Sequence, residues 1–481
     1  MNNKLFTIAL ILFALFLRVY NINRTTEFLG DQGRDLLVVR GLVQEGKWPV
    51  VGPTVGAGHY TGPFYYYLIA PSYILFKGNP AASAIEMSMI SVAAILLFLH
   101  VATSLFGFPI AYGVSFLWAL SPLMIIQDRR LWNPTPIPFF VLLLIASLLW
   151  IYKKNYWGFL TAAFASAILI QLHYVNGITL SLAIIILIGI VHQSKEKKIV
   201  PWCITGLILF TAVLSPFIFY EAQHGYKDII GSISTLFLKD GQLFSKRQYF
   251  NTFVDICTRL ASYIVSLSWK IPLIAIAACV LIGNLIRKKI VSYILVAWLG
   301  IGIACLSFYK DTFQPQYAYQ FIPIVFLLLG GVLQSIRKLT WPLIFGLVTV
   351  ITIVSWSSNN PYKTNNPDLP RIAALTDAVV LMAKDTPFTF TVIHSRSFTD
   401  FHVRYFFRTK NVEVVPVDDV NNKTLFIVCE AGCPKAESMS KISVMCHTDL
   451  CPLDKPEIHL SEWTYVSTTN VGTSAIYAYT R

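Results

Sequence analysis

The chain has 481 residues, of which 55% are hydrophobic and only 13% are charged, and its mean hydropathy is +0.60. Apolar runs of about eighteen residues or more recur along it, which excludes a soluble globular protein and indicates a polytopic membrane protein. The net charge of +13 does not indicate nucleic-acid binding, because the lysines and arginines lie mainly in short loops and form no basic stripe interleaved with aromatics.

The first apolar run, residues 5–20, resembles a signal peptide because it follows a short basic start. Arg18 lies near its end and no small-residue cleavage site follows, so we predict an uncleaved transmembrane helix. Eleven transmembrane helices are predicted in total, over residues 5–22, 81–105, 109–127, 136–152, 156–173, 176–192, 200–220, 269–286, 290–308, 318–336 and 341–357.

The basic residues predict the orientation of these helices. With the N-terminus in the cytoplasm, lysine or arginine occurs in nearly every inner loop, as the positive-inside rule requires. The inner loops then carry Lys4, Lys153, Lys154, Lys195, Lys197, Lys198, Arg287, Lys288, Lys289, Arg337 and Lys338. The same orientation places the loops 23–80, 128–135 and 221–268, and the tail from residue 358, outside the cytoplasm.

The first outer loop contains the densest group of charges. Asp31, Arg34 and Asp35 are spaced i, i+3 and i+4, so a helix places them on one face. Gly46 ends that helix, and a turn-rich stretch leads to a second helix near Pro63 that opens with aromatic residues. Aromatic residues prefer the membrane interface, so we predict two interfacial helices in this loop.

Asp31 and Asp35 are open to two interpretations. Acidic residues are favoured at a helix N-terminus by the helix dipole, so the pair can be an ordinary solvated helix start. A carboxylate at the membrane surface can also remove a proton from an acceptor hydroxyl. Arg34 offers a planar donor fork suited to phosphate one turn away, and this favours Asp31 as a catalytic base.

The short outer loop 128–134 holds a second polar cluster. Arg129 and Arg130, beside Trp132, can anchor the loop at the membrane interface. Two adjacent arginines outside the cytoplasm run against the charge bias of the inner loops, which favours contact with an anionic lipid head group. Lys310 lies in a later predicted outer turn. It is either an ordinary polar loop residue or a further contact for phosphate.

Several residues near these clusters are candidates for the wall of a substrate cavity. A lone histidine at a helix end is usually a hydrogen-bonded structural residue, and no paired-histidine spacing is present. Convergence of His59 and His173 with a carboxylate would hold a divalent cation, so a metal is left open. The cavity candidates are Asp35, His59, Tyr60, Asp128, Trp132, Asn133, His173 and Tyr317.

The tail changes character after three prolines between residues 361 and 370. A helical pattern over 371–384 and an amphipathic one over 399–409 alternate with strand-like segments at 388–393, 412–417, 424–429 and 463–480. We therefore predict a transmembrane domain over 1–357 and a small extracytoplasmic α/β or α+β domain over 358–481.

The tail also contains four of the eight cysteines: Cys429, Cys433, Cys446 and Cys451. Such a cluster would bind zinc in a reducing compartment. Outside the cytoplasm, two disulfides are favoured, with three pairings open.

The order of these motifs resembles the bacterial type C glycosyltransferases, in particular the family of protein O-mannosyltransferases and the lipid A aminoarabinose transferase. The matching segments are Gly-Asp-Gln-Gly-Arg-Asp at 30–35, Gly-Pro-Phe-Tyr-Tyr-Tyr at 62–67 and Trp-Asn-Pro at 132–134. The resemblance covers the membrane part, best over residues 1–180. It implies that Asp31 is the catalytic aspartate and that Arg34 contacts the donor phosphate, while Gln32 stands where many members have glutamate.

The resemblance implies a membrane glycosyltransferase that moves a sugar from a polyprenyl-phosphate carrier to an acceptor on the outer face of the cell membrane. One carboxylate without a separate nucleophile indicates inversion. The acceptor, whether protein, glycolipid or cell-wall polymer, is left open. One rival hypothesis is a flippase for lipid-linked sugars, which should show repeat symmetry or charged midplane helices. Another is a receptor that acts through its tail.

Overall fold

The structure is a computed structural model. It describes residues 3–481 except 56–57, 195, 197, 238–245, 268, 287–288, 310–312, 337–339, 364–366, 385, 413, 417–421 and 444–456. Predicted site or loop residues outside the described part are Lys195, Lys197, Arg287, Lys288, Lys310, Arg337, Lys338, Cys446 and Cys451.

The chain forms two compact units. The membrane unit comprises Met1–Tyr20, Pro49–Leu68 and Ile85–Pro361, and the C-terminal unit comprises Asn21–Trp48, Ile69–Ala84 and Tyr362–Arg481. The sequence-based boundary at 357/358 stays a prediction. The contacts group most of the first outer loop with the tail, and sequence order alone could not indicate this.

The membrane unit is helical. Its helices are Asn3–Val19, Phe108–Leu120, Pro122–Asp128, Ile137–Tyr152, Trp157–Leu172, Gly177–Ser194, Ile199–Gln223, Lys227–Phe237, Lys246–Ile264, Lys270–Ile286, Ile290–Leu306, Ile322–Ser335 and Trp341–Ser358, with short 3₁₀ helices at Tyr174–Asn176 and Pro315–Phe321. Phe64–Leu75 and Pro80–Phe106 run from one unit into the other. A hairpin pairs Thr54–Val55 with His59–Tyr60.

Helix occurs in every predicted transmembrane span. By length and apolar composition, five helices of the described residues are able to cross a membrane, or six if one bent pair counts as a single span, and four more apolar helices are shorter. The total of eleven crossings, and their orientation, therefore stay predictions.

The bent pair joins Phe108–Leu120 to Pro122–Asp128 at 65°. Proline lacks the N–H that a continuous helix needs and pushes the residue before it out of the helical region. Ser121 accordingly has φ −62° and ψ 119°. The predicted single span 109–127 is thus broken at this Ser-Pro step.

Residues 221–268, predicted as an outer loop with no helix assigned, contain Lys227–Phe237 and Lys246–Ile264. Both helices are amphipathic. Ile229, Ile230 and Ile233 lie on the exposed side of the first, and their helical spacing is the signal that could have revealed it.

The C-terminal unit contains a four-stranded sheet in the order Thr389–Ile393, Thr424–Cys429, Ser474–Thr480, Thr464–Val471. The first two strands are parallel and the other neighbours are antiparallel. A two-stranded sheet pairs Lys441–Ser443 with Glu457–His459. The unit also contains the helices Ile22–Thr25, Gly30–Glu45, Asp368–Ala383 and Phe401–Thr409.

The sheet has apolar side chains on both faces. Phe390, Val392 and Phe426 pack on one face with side chains of the two tail helices, while Ile427 and Tyr477 pack on the other. Strands covered on both faces read as continuous apolar runs, which is why the sequence revealed them. The prediction of a small sheet in the tail is confirmed. Of the predicted strand 412–417, however, residues 413 and 417 lie outside the described part, and the described residues show only an isolated bridge between Val414 and Phe388.

Candidate active site

The helix Gly30–Glu45, called the Asp31 helix below, presents the first group of predicted site residues. Gln32 is buried, and its Oε1 accepts a hydrogen bond of 2.8 Å from the Leu29 N–H just before the helix. Gln32 therefore caps the helix start. A glutamate carboxylate would accept the same bond. The capping role of position 32 therefore does not require a second acid.

Asp31, Arg34 and Asp35 meet on one face of this helix. Arg34 Nη1 lies 3.1 Å from Asp31 Oδ1, and Arg34 Nη2 lies 2.8 Å from Asp35 Oδ1. The Asp35 side chain is fully buried, whereas the Asp31 side chain is 51% exposed. The buried carboxylate thus balances the guanidinium charge, while the exposed one is oriented by Arg34 and open to a reactant.

Asp128 and Arg129 lie at the end of a membrane helix in the other unit, and both are buried. Asp128 Oδ2 accepts from Nε of Arg18 at 2.8 Å and lies 2.7 Å from its Nη2. Arg129 donates to the Tyr20 carbonyl at 2.7 Å. The end of the first helix therefore fixes this loop. No local sequence pattern indicates that Arg18 is the partner of Asp128, because 110 residues separate them.

The rest of this loop turns toward the next helical hairpin of the same unit. Arg130 lies over the ring of Trp132, 5.7 Å from its centroid, which is cation–π geometry. Asn133 Nδ2 donates to the Leu172 carbonyl at 2.7 Å. This bond brings the loop beside His173.

His173 is buried and lies at the break after Trp157–Leu172. Its Nδ1 accepts from the Val175 N–H at 3.3 Å, so the neutral ring carries its proton on Nε2. The Tyr317 ring lies 5.1 Å away, and its hydroxyl is 3.2 Å from that of Tyr309. A neutral imidazole among phenols suits contacts with sugar hydroxyls.

His59 and Tyr60 contact Asp228, an acidic residue that the sequence analysis missed, and a second missed acid, Glu221, binds the start of the helix that carries Asp228. His59 Nδ1 lies 3.6 Å from Asp228 Oδ1, which also accepts from the Tyr60 N–H at 3.1 Å. Glu221 is buried, and its Oε2 accepts from the Ile229 N–H at 3.1 Å. The sequence signal for Glu221 was an acidic residue in the last turn of the apolar helix Ile199–Gln223. No group of three or more His, Cys, Asp or Glu side chains suited to a metal occurs within the described residues.

A buried ionic network in the C-terminal unit was also missed. Arg371 Nη2 lies 2.7 Å from Glu430 Oε2 and 3.2 Å from Asp368 Oδ1, and His402 Nε2 lies 2.6 Å from Glu430 Oε1. Arg396 contacts Asp368 at 2.6 Å. Burial alone would raise the pKa of Glu430, but His402 and Arg371 outweigh it and lower that pKa to about 2.

One disulfide lies in the same unit, between Cys429 and Cys433. The predicted use of tail cysteines in disulfides is confirmed for this pair, and it fixes one of the pairings left open. Cys446 and Cys451 lie outside the described residues.

Each unit therefore brings some of the predicted residues together. The C-terminal unit joins Asp31, Arg34 and Asp35. The membrane unit joins Asn133 to the segment of His173 and Tyr317. The convergence of the two sets on one cavity stays a prediction.

Known structures resemble this chain over nearly its whole length. ArnT from Cupriavidus metallidurans matches with a TM-score of 0.62 in the apo state and 0.64 bound to undecaprenyl phosphate, each at 12% identity over 99% of this chain and 97% of ArnT. The oligosaccharyltransferase of Archaeoglobus fulgidus, in complex with Zn and sulfate, matches with a TM-score of 0.50 at 14% identity over 88% of this chain and 67% of that one. No protein-family model and no curated protein matches the sequence. The chain thus shares the fold of ArnT, in agreement with the resemblance that the motif order indicates.

Proposed function

We propose that this protein, built on the fold of ArnT, is a membrane glycosyltransferase that takes a sugar from a polyprenyl-phosphate carrier. The observation that carries the proposal is the exposed Asp31 carboxylate beside Arg34 in a chain that matches 97% of a protein crystallised with undecaprenyl phosphate. A fold hosts many activities, so the proposal depends on the chemistry of these side chains as well as on the likeness.

In the proposed reaction, an acceptor hydroxyl attacks the anomeric carbon of the donor sugar. A new carbon–oxygen bond forms as the bond to the carrier phosphate breaks, and the phosphate leaves with the bonding electrons. Asp31 takes the hydroxyl proton as general base. Since no covalent sugar–enzyme intermediate is formed, the configuration at the anomeric carbon inverts.

The departing phosphate needs cations, because negative charge develops on it in the transition state. We assign this role to Arg34, Arg129, Arg130 and Lys310. Arginine suits it, since its planar fork can donate two hydrogen bonds to one phosphate. The pairing of Arg34 with Asp35 supports its part, because a guanidinium held by a buried carboxylate keeps one orientation.

The remaining residues are proposed to line the donor and acceptor cavity. The neutral His173 and the phenol of Tyr317 would bind sugar hydroxyls, and the indole of Trp132 would support the sugar ring. Asp35, His59, Tyr60, Asp128 and Asn133 would complete the wall, Asp128 through its hold on the arginine loop. A divalent cation stays open.

We further propose that the reaction occurs on the outer face of the cell membrane, with the N-terminus in the cytoplasm. The alternation of basic inner loops and polar outer loops supports this orientation. It would expose Asp31 and the C-terminal unit to the compartment in which disulfides persist, and the Cys429–Cys433 bond fits that compartment.

The direct test is Asp31→Asn in the purified full-length chain. Wild type, supplied with a panel of polyprenyl-phosphate sugars and acceptors, should release polyprenyl phosphate. Removing a general base costs about a hundred- to ten-thousand-fold in rate, so the variant should lose release while still binding the carrier lipid.

Glu45→Gln is the matched control, because Glu45 is an exposed acid on the same helix that pairs with the surface residues Lys47 and Arg40. It should keep the wild-type rate. Near-normal turnover by Asp31→Asn would remove Asp31 from the mechanism. Movement of intact donor across liposomes without any release of polyprenyl phosphate would favour the flippase instead.

A further inference from the structure

The start of the Asp31 helix is capped by side chains of the tail. The first N–H groups of a helix have no partner within the helix. Here the Gly30 N–H donates to Ser397 Oγ at 2.8 Å, and the Phe28 N–H, just before the helix, donates to Asp368 Oδ2 at 3.3 Å. Both acceptors belong to the tail of the same unit. Asp31 lies in the helical turn that these bonds fix.

Two glycines allow the tail to approach this turn closely. A Cβ atom on Gly33 would lie 2.4 Å from the backbone nitrogen of His402 and from the carbonyl of Phe401. A Cβ atom on Gly30 would lie 2.0 Å from Thr399 Oγ1. Backbone atoms cannot rotate out of the way as a side chain can. Any side chain at position 33 must therefore push the Asp31 helix and the tail helix Phe401–Thr409 apart.

The tail surface under Gly33 is rigidly held. The His402 side chain is fully buried and bonded to Glu430, which also pairs with Arg371. Ring contacts add to this support, since Phe28 packs against Tyr405 and Phe406 with centroids 5.9 and 5.5 Å apart. The helix start thus contacts a surface that has little freedom to relax.

We propose that the tail positions the catalytic carboxylate, with Ser397 and the glycine-permitted contact at Gly33 setting where Asp31 lies. This inference rests on the proposed function, because it takes Asp31 as the base. Ser397 and Gly33 are positioning residues that act through the helix and touch no substrate. A base displaced by about 1 Å can lose about a hundredfold in rate, so small shifts of this helix should be visible in kcat.

The experiment compares Ser397→Ala and Gly33→Ala in the full-length chain. Gly41→Ala is the matched control on the same helix, since its Cβ would meet only Lys47 side-chain atoms at 3.9 Å. Ser438→Ala, at an exposed serine of the tail, controls for the loss of a hydroxyl. Each variant is measured for kcat, for KM of the donor, and for amide hydrogen exchange along residues 30–45.

The expected result is a fall in kcat of about a hundredfold for Gly33→Ala, and of about tenfold for Ser397→Ala, with KM little changed. Exchange should rise in the first turn of the helix and stay unchanged near its C-terminal end. Both control variants should match wild type in every measurement.

Unchanged kcat and unchanged exchange in both test variants would overturn the positioning role. Faster amide exchange in the first turn of the Asp31 helix together with a wild-type kcat would also overturn it. If wild type itself released no polyprenyl phosphate from any donor, the proposed function would fail. Hydrogen exchange alone would then decide whether the tail fixes the helix start.

Discussion

Replacing Glu430 by glutamine should destabilise the C-terminal unit, because Glu430 is the shared partner of Arg371 and His402. Its pKa falls from the ordinary value of 4.5 to about 2. That difference corresponds to about 3 kcal/mol of stability held by the ionised carboxylate. A glutamine keeps the shape but not the charge, and it removes the 2.7 Å ion pair of the buried Arg371 guanidinium, which keeps its 3.2 Å contact with Asp368.

The sign of the pH dependence follows from the direction of the shift. A carboxylate with a lowered pKa stabilises the folded state fully above the pKa of the unfolded chain, and this stability is lost as the pH falls from about 4.5 to about 2. The difference in unfolding free energy between wild type and Glu430→Gln should therefore be about 3 kcal/mol at pH 7 and should approach zero near pH 2.

Native-state hydrogen exchange in detergent micelles measures this difference at neutral pH. Amides of the strand Thr424–Cys429 should exchange about a hundred times faster in the variant, which is the factor that about 3 kcal/mol gives. Chemical denaturation at lower pH supplies the rest of the curve. Glu437→Gln, at an exposed glutamate of the same unit, should change stability by less than about 0.5 kcal/mol. Equal exchange in wild type and Glu430→Gln at pH 7, or a difference that persists undiminished at pH 2, would refute the reasoning.

Two further outcomes concern stability. Arg18→Met leaves the buried Asp128 carboxylate without its ion-pair partner, which costs about 3–5 kcal/mol, so the thermal midpoint of the variant in micelles should fall. Adding Asp128→Leu should restore much of the lost stability. No recovery in the double variant would contradict the pairing. Cys429→Ser removes the disulfide with Cys433, which closes a short loop. The chain-entropy model gives this bond about 2 kcal/mol of stability, so the midpoint in denaturant titrations should fall relative to the oxidised wild type. An unchanged midpoint would show that the bond adds no stability.

Gln32 has a structural role that the motif resemblance does not indicate. Its place in the Gly-Asp-Gln-Gly-Arg-Asp segment supports the resemblance, and it stands where many members of that family have glutamate. In the structure the residue has a capping role, because its amide oxygen accepts a hydrogen bond at the helix start. A capping role depends on hydrogen-bond geometry at the helix end, which the sequence pattern suggests only weakly.

The partners of buried charges were not predictable. The sequence analysis places Arg18 near the end of the first helix and Asp128 in a short outer loop, and it assigns no role to Asp368, Arg371, His402 and Glu430, all of which form buried ion pairs. Pairing between residues far apart in sequence has no local signal, because it depends on how helices and strands pack. The broken helix at Pro122 and the amphipathic helix Lys227–Phe237 did have local signals, in a Ser-Pro step and in the spacing of isoleucines.

The sequence by itself determined the apolar helical segments and the small sheet of the tail, because apolar periodicity follows local chemistry, and the motif order indicated the fold that the chain shares with ArnT. The spacing of Asp31, Arg34 and Asp35 likewise determined that they share a face. Only the tertiary structure decided that Asp35 is buried while Asp31 is exposed, and that Ser397 and the backbone at His402 hold the Asp31 helix. Burial and long-range contact depend on the packing of distant segments, and a glycine reveals a close approach only when its neighbour is known.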